Sequence, residues 1–565
     1  MKRILVVGAA RPVVVAMRAL LVLLVVAVAL FVSSDAGEAY NAARAVWPRP
    51  RSIAHPEGAW FWRLHPASLQ VVFAQEGPHW DAVHEILSQA EQRYANLIPV
   101  AATARQEREG VPGRVVGVAS QIHVSIMDPS TVLDLQTDES YTLVVSLKTG
   151  IRVVADTVFG VLRGLETFAQ LVEPRAGVVR LERRTDDGAG VQAVMDPGTR
   201  FYVECVQVDD APAYPYRGIM IDTARHYLPV PVIERMLDAM EANKLNVLHW
   251  HVSDDQSFPF QSRALPELAK AAWTPAMVYT HFDVHHLAQQ ALFRGIRIVP
   301  EFDTPGHSAS FGPGYPNVIA QCPNVSDAGS FMLNPTKPET RQVVSELWTE
   351  AVRVFQATEL VHVGGDEVDT TCLEHCDEVR DFMTANNVSN ASDLIADYHD
   401  FLQRFISSDL QRTSIVWQEV FDDNLPMHED TIVDVWQETD DVERVVRTGR
   451  RAILSACWYL DHLSDEWQDM YACNPRAFNG TDDEYARVIG GHSSMWGERV
   501  DENNIMSRSW PRTSAVAERL WSPASHTNNQ SMSDELEDRL DLQRCRLVAR
   551  GVAASPVRPG ICAFE

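Results

Sequence analysis

Beyond Tyr216 one unit recurs eight times: a short apolar run, a polar tip, then a stretch with helical spacing. The runs are Gly218 to Arg225, Val247 to Asp254, Arg297 to Asp303, Leu360 to Glu367, Ser414 to Val420, Thr431 to Gln437, Arg451 to Asp461 and Val488 to Glu498. Helical stretches, for example Val232 to Lys244, Val284 to Phe293 and Arg341 to Gln356, separate most of them. Parallel strands need crossover connections, and eight strand–helix units in series imply a (β/α)₈ TIM barrel whose functional groups sit at the C-terminal strand ends. The barrel is expected over residues 214–545. A smaller α/β domain at 45–200 precedes it, with strand-like runs at Ile122 to Ile126, Tyr141 to Leu147 and Ile151 to Val154, and helical runs at Trp80 to Leu97 and Val158 to Leu171. Val172 to Tyr216, carrying Pro197, Pro212 and Pro215, reads as a linker. Residues 546–565 form a tail.

The fourth run is the most explicit. Leu360-Val361-His362-Val363 leads through Gly364 and Gly365 into Asp366 and Glu367, so two adjacent acids sit at the strand's mouth. Adjacent carboxylates resist ionising together, and one is expected to keep a proton near neutral pH, as a general acid must. The other strand ends carry Arg225, Asp254, Asp303 with His307, Trp417, Trp436, Tyr459 with Asp461, and Trp496 with Glu498. Any one of these has a plain structural explanation as core, turn or cap. Together they make the lining of a carbohydrate pocket, with indole faces for the C–H faces of a pyranose and with carboxylates and Arg for its hydroxyls.

His249 and His251 share one strand face, as in barrel metallohydrolases, but lie below the mouth and read as interior hydrogen-bonding residues. Cys372, His375 and Cys376 have zinc-like spacing, but no second close pair completes a ligand set. Neither a metal nor a cofactor is expected.

A formal charge of -27, from 76 acidic and 49 basic residues, makes nucleic acid an unsuitable partner. Lys2, Arg3, Arg11 and Arg18 precede or flank an apolar run from Ala19 to Val32, and Ser34-Asp35-Ala36 follows, so residues 1–36 read as a secretory signal. That run falls short of the roughly 20 residues that span a bilayer, so a signal anchor is the minor reading. Sequons at Asn324, Asn387, Asn390, Asn479 and Asn529 and eight cysteines agree with an oxidising, secretory route.

Arg217 through Tyr227 (RGIMIDTARHY), Val247-Leu248-His249-Trp250-His251 with Asp254-Asp255, Pro300-Glu301-Phe302-Asp303-Thr304-Pro305-Gly306-His307, Gly364-Gly365-Asp366-Glu367-Val368 and Trp496-Gly497-Glu498 resemble the lysosomal-type β-N-acetylhexosaminidases, the family-twenty glycoside hydrolases. Asp138 to Thr142 and Arg163 to Phe168 are similar to that family's N-terminal domain.

The resemblance implies an exo-acting enzyme that removes terminal N-acetylglucosamine and N-acetylgalactosamine from glycans, with the substrate's own acetamide as nucleophile. It assigns Glu367 as general acid and base, Asp366 to the acetamide, Arg225 and Glu498 to hydroxyls, and Asp254 and His307 to a supporting polar shell. Trp417, Trp436 and Trp496 become pocket walls, and Tyr459 a donor to the acetamide. Asp461, in place of the neutral residue of sulfate-accepting members, implies uncharged sugars; His462 departs from both known patterns. The resemblance also implies Cys322–Cys372 and Cys545–Cys562 disulfides, a homodimer, and a lysosomal or extracellular location. Cys457 and Cys473 lack counterparts but flank one loop and are expected to pair. The alternative is an inactive sugar-binding protein on the same scaffold, which would need loss of Glu367 or of the acetamide partners.

Overall fold

In the computed structural model, residues 45–103, 114–175, 179–183, 191–195, 199–321, 331–356, 359–528 and 533–562 are described, and all eight apolar runs beyond Tyr216 are strands of one closed parallel barrel. They are β1 (Tyr216–Asp222), β2 (Val247–Ser253), β3 (Arg297–Phe302), β4 (Leu360–His362), β5 (Thr413–Trp417), β6 (Ile432–Val435), β7 (Arg451–Leu454) and β8 (Val488–Met495). The barrel closes between β8 and β1, with Ile219 opposite Ser493. The helices follow the predicted runs: Val230–Ala242, His281–Leu292 and Pro338–Val354.

Most strands are shorter than the sequence runs, for a local reason. The ladder of β4 ends at His362 because Gly364 and Gly365 turn at φ 69° and 99°; β5 ends at Trp417 because Gln418–Asp422 is already helical. The polar tips are therefore loops, free to aim side chains over the mouth.

Strand alternation divides the residues into two populations. Leu248, Trp250 and Val252 of β2 face the helices in the larger core, while Val247 joins Tyr216, Val299, Leu360, Ile415, Ile432, Ile453 and Ile489 in a separate apolar plug inside the barrel. Each fully buried Ile or Val of that plug contributes roughly 1.5–3 kcal/mol. One step higher, the inward positions turn polar: His249, Glu301, His362, Asp434 and His492 are all fully buried.

The N-terminal region contains a six-stranded sheet ordered Ser52–Ala54, Val206–Asp210, Tyr141–Ser146, Gly150–Ala155, Gln121–Ile126 and Gln70–Phe73. A four-stranded sheet beside it includes Arg200–Glu204 and Glu173–Arg175. The linker expected at Val172 to Tyr216 is thus corrected: the segment supplies strands to both sheets. Its prolines misled because Pro212 and Pro215 mark only the short connection at 211–215 between the strand Val206–Asp210 and β1, while Pro197 lies outside the described residues.

The helix Val158–Leu171 is wholly buried between the first sheet and the base of the barrel. Arg163 donates to the carbonyls of Arg294 and Gly295 and to Glu139, which also receives Arg217 Nη2 at 2.6 Å and Asn246 Nδ2 at 2.9 Å. This domain therefore braces the end of the barrel opposite the mouth.

Cys457–Cys473 and Cys545–Cys562 are bonded, the latter joining the helix Asp534–Ala549 to the tail. Cys372 is in a disulfide; its expected partner, Cys322, lies outside the described residues, as do the signal segment and the sequons at Asn324 and Asn529. Asn387, Asn390 and Asn479 are exposed.

Candidate active site

The loop after β4 owes its path to its two glycines. A Cβ on Gly364 would lie 1.7 Å from Asp303 Oδ1, and one on Gly365 would lie 2.5 Å from Val420 Cγ2. Only glycine permits both the positive φ and the close approach. The Gly365 N–H donates to Asp303 Oδ1 at 2.8 Å. Two residues on, Glu367 itself adopts φ 48°, and so does His307, whose Nε2 lies 3.4 Å from Glu367 Oε2. Two non-glycine residues in the left-handed region, each costing about 1–3 kcal/mol, meet at one contact. The surrounding fold holds both in place.

His307 Nδ1 faces Asp254 Oδ1 at 3.3 Å. The other oxygen of Asp254 receives His251 Nε2 at 3.0 Å and Arg225 Nη2 at 2.7 Å. Arg225 also bonds Asp222 at 3.2 Å, and its guanidinium lies over the Trp496 ring at 4.9 Å. Its Nε is 3.9 Å from Glu498, a separation too long for a hydrogen bond, and the Glu498 side chain is 55% exposed. Predicted site residues from five strand ends thus converge on one network.

The electrostatics depart from the expectation for adjacent acids. The hydrogen bond from His307 holds the Glu367 carboxyl below its ordinary range, against a smaller opposing effect of burial. Burial would lower His307, but Asp254 and Glu367 outweigh it and keep the imidazole charged. Asp303 is pushed well upward, by burial and then by the charge of Asp366, and burial also raises Asp255, to about 6, and Glu419. Oxygens of Asp303 and Asp366 and a ring nitrogen of His307 lie within 4.8 Å of one another. Among these groups the carboxyl pushed toward its protonated form is therefore Asp303, at the tip of the strand beside that of Asp366. Asp366 Oδ1 is buried, with no N–H or hydroxyl donor among the described residues; the Asp366 side chain bonds the Asp303 carboxyl.

The aromatic residues occupy two levels. Trp417 is buried, donates Nε1–H to Glu301 at 2.8 Å and packs 5.9 Å from Trp496. Nearer the surface, Trp436 stacks on Tyr459 at 6.0 Å and 25° and donates to Glu419 Oε2 at 2.8 Å. Asp461 follows Tyr459, and its Oδ1 is buried without a hydrogen bond among the described residues. His462 turns outward toward Asp465 at 3.6 Å.

His249 and His251 both contact Glu301 Oε2, at 2.8 and 2.7 Å, which is the interior bonding expected of them. His249 also stacks nearly parallel to His362 and His492, with centroids 4.5 and 5.0 Å away. A metal must lie in the plane of each imidazole that binds it, and stacked rings share no such point. This arrangement gives a metallohydrolase no support.

Residues 214–524 match the catalytic domain of glycosyl hydrolase family 20. The chain belongs to that family. Residues 46–171 match its beta-acetyl hexosaminidase-like domain. The beta-hexosaminidase subunit beta of Felis catus is 38% identical over 538 residues, covering 93% of this chain and 95% of that protein. The subunit alpha of Mus musculus is 37% identical, covering 93% and 96%. The Flavobacterium johnsoniae chitobiase structure superposes with a TM-score of 0.71 at 26% identity, covering 90% of this chain and 73% of that one. The protein is a glycoside hydrolase, a β-N-acetylhexosaminidase.

Three polar residues around this site escaped the sequence reading as site members: Asp222, Glu301 and Glu419. A signal existed for one of them, Glu301. Val299, Glu301 and Asp303 alternate along one strand face, the face that Val299 of the interior plug marks as inward. Asp222 and Glu419 become visible only through their partners Arg225 and Trp436.

Proposed function

We propose that the enzyme removes terminal, non-reducing N-acetylglucosamine and N-acetylgalactosamine from glycans with retention, by substrate-assisted catalysis. The observation that carries this reading is the buried Asp366 Oδ1, to which no N–H or hydroxyl of the described residues donates, beside the His307–Glu367 contact. The Asp366 side chain shares a hydrogen bond with the Asp303 carboxyl, and an acetamide N–H would supply the amide donor it lacks. Family-20 hydrolases are an exception to the scheme of two carboxyls flanking the scissile bond. In the proposed first step the acetamide oxygen bonds to the anomeric carbon as the bond to the leaving oxygen breaks, and that oxygen takes a proton from Glu367. Asp366 stabilises the resulting oxazolinium. Water then gives a proton to Glu367 and its oxygen to the anomeric carbon, reopening the ring.

Glu367 and His307 hold the reacting proton jointly, and such a pair titrates as a unit. Resting as carboxylate and imidazolium, it carries the same proton count as an acid beside a neutral imidazole. Attack from within the substrate makes the step unimolecular, and a positioned acid adds roughly 10²–10⁴-fold. Arg225 and Glu498 bind ring hydroxyls, Trp417 and Trp496 pack on the sugar face, Trp436 walls the side and Tyr459 meets the acetamide. Asp461 disfavours a 6-sulfated sugar by like charge. We extend the resemblance to a homodimer, and to a secretory route ending in the lysosome or outside the cell. The disulfides and exposed sequons support the route, and among the described residues no helix is long and apolar enough to cross a membrane.

Release of a chromogenic leaving group from N-acetylglucosaminide, N-acetylgalactosaminide, their 6-sulfated forms and plain glucoside tests the reading. The first two should turn over and the glucoside should not. Comparable cleavage of the glucoside removes acetamide participation, and full activity in Glu367→Gln removes the proton donor.

A further inference from the structure

The contacts that tune Glu367 do not stop at Asp254. Behind it His251 spans two carboxylates, Nε2 to Asp254 Oδ2 at 3.0 Å and Nδ1 to Glu301 Oε2 at 2.7 Å. An imidazole with a carboxylate oxygen on each nitrogen donates from both, and so carries a positive charge. Acid and imidazole then alternate from the sealed interior to the open mouth: Glu301, His251, Asp254, His307, Glu367. The exposure of the side chains rises along the series, from 0% for the first three to 16% for His307 and 61% for Glu367.

We propose that Glu301 is a positioning residue for the proton donor: by keeping His251 doubly protonated it sets the effective charge on Asp254, and through it the pH range in which the His307–Glu367 pair holds its proton. The proposal rests on the reading of Glu367 as that donor. Glu301 cannot act by contact, since it lies fully buried under Trp417, which binds its other oxygen.

Every group around the relay bears on the sign of the effect. Glu301 faces His249 and His251 from β2, His362 at 3.1 Å from β4, and Trp417 from β5. Tyr216 of β1 and Asp303 beyond β3 also feel its charge. Burial would raise Glu301, but His362, His251 and His249 outweigh it and keep it ionised. His251 has, besides its two carboxylates, the charge of Asp222 and the edge of the Trp496 ring. Burial works against its charge, and Glu301 is the strongest influence in favour. Asp254 has Arg225, His307 and the adjacent Asp255.

Replacing Glu301 by Gln removes the main support of the His251 cation. His251 falls to its neutral form, still donating Nε2–H to Asp254. The positive charge lost at His251 is nearer the mouth than the negative charge lost at residue 301, so the His307–Glu367 pair sits in a more negative field. It binds its proton more tightly and yields it less readily.

The test is the pH dependence of kcat/KM for a chromogenic N-acetylglucosaminide with native enzyme and Glu301→Gln. Both limbs should move upward by roughly half to one unit. kcat should fall roughly tenfold while KM stays within about twofold. Limbs that stay in place or move downward overturn the proposal, including when activity drops, since a purely structural role would lower activity without moving the profile. If the variant fails to fold, neutron crystallography of the native protein at pH 8 decides: deuterons on both His251 nitrogens support the proposal, and one alone overturns it. Glucoside turnover, or full activity in Glu367→Gln, would defeat the catalytic reading separately and leave the His251 result to stand on its own.

Discussion

The barrel has buried ionic networks at both ends, and they differ in one respect: the cluster of Glu139, Arg163, Arg217 and Asn246 at the base is saturated, with only the neighbouring Arg297 keeping Nε and Nη1 without a partner among the described residues, and the one at the mouth is not. At the base, Glu139 sits between Arg163 and Arg217 with Asn246 filling in, and Arg163 spends its remaining donors on carbonyls of the barrel loops. At the mouth no N–H or hydroxyl of the described residues reaches Asp366 Oδ1, Asp303 Oδ2 or Asp461 Oδ1, and Arg225 Nε has no acceptor, the Asp303 and Asp366 carboxyls bonding only one another. Two of the mouth's side chains are in the left-handed region as well. A network that only has to hold domains together closes on itself; one that must receive a sugar keeps donors and acceptors open and is stabilised by the packing below it.

If that contrast is right, breaking the base should cost stability and leave chemistry alone. Glu139→Ala strands two buried guanidinium groups, and removing one partner of such a cluster costs about 3–5 kcal/mol. The denaturation midpoint should fall accordingly, with kcat/KM of the folded fraction within about twofold of native. Burial would raise Glu139, but Arg217 and Arg163 outweigh it and depress it. Its contribution is therefore present above the unfolded carboxylate value near 4.3 and is lost as pH falls through the lower folded value. The gap between native and variant should narrow only in that acidic range. An unchanged midpoint, or a large loss of activity per folded molecule, would erase the distinction between the two ends.

Breaking the mouth should do the reverse. His307→Asn removes the group that shares the proton, leaving Glu367 to hold it alone. Glu367, freed of the hydrogen bond that depresses it, returns toward the ordinary carboxylate value. The basic limb of kcat/KM then drops from the high value of the pair to about pH 4–5, and kcat at neutral pH falls roughly 10²-fold. Residual activity should climb as pH is lowered. A basic limb that stays where it is in native enzyme would show that His307 does not share the proton.

The same contrast explains which parts were legible in the sequence. Eight strands, their order and the inward face of each follow from local alternation, and Val247, His249 and His251 line up inside the barrel as a period of two requires. Asp366, Glu367 and His307 could be singled out because each sits at a strand tip in a recognisable motif, and the structure brings the three together. Asp303 and Glu301 were quoted within such a motif, but their roles depend on contacts with residues 50 or more positions away, such as His251 to Glu301 and Gly365 to Asp303. Nothing local marks which of several inward acids will keep a proton. The strands of Val172 to Tyr216 were hidden for the same reason: Val206–Asp210 is a strand because Tyr141–Ser146 and Ser52–Ala54 flank it, whereas its own sequence reads as a proline-bordered connection.

The smallest expected effect probes the boundary between holding and binding. Trp436 donates to Glu419, which also takes Gln437 Nε2 at 3.0 Å, and stacks on Tyr459. Trp436→Phe keeps a ring against Tyr459 but removes the N–H. The loss of one hydrogen bond to a charged group costs about 1.5–3 kcal/mol at most, and less here because Gln437 remains. Were this wall part of a saturated scaffold like the base, the loss would appear in the melting temperature. As part of the open mouth it should appear in binding: KM for the N-acetylglucosaminide rises roughly threefold to tenfold, kcat stays within about twofold, and the melting temperature hardly moves. A lowered melting temperature with unchanged KM would place Trp436 with the scaffold and pull the working edge of the pocket inward to Tyr459.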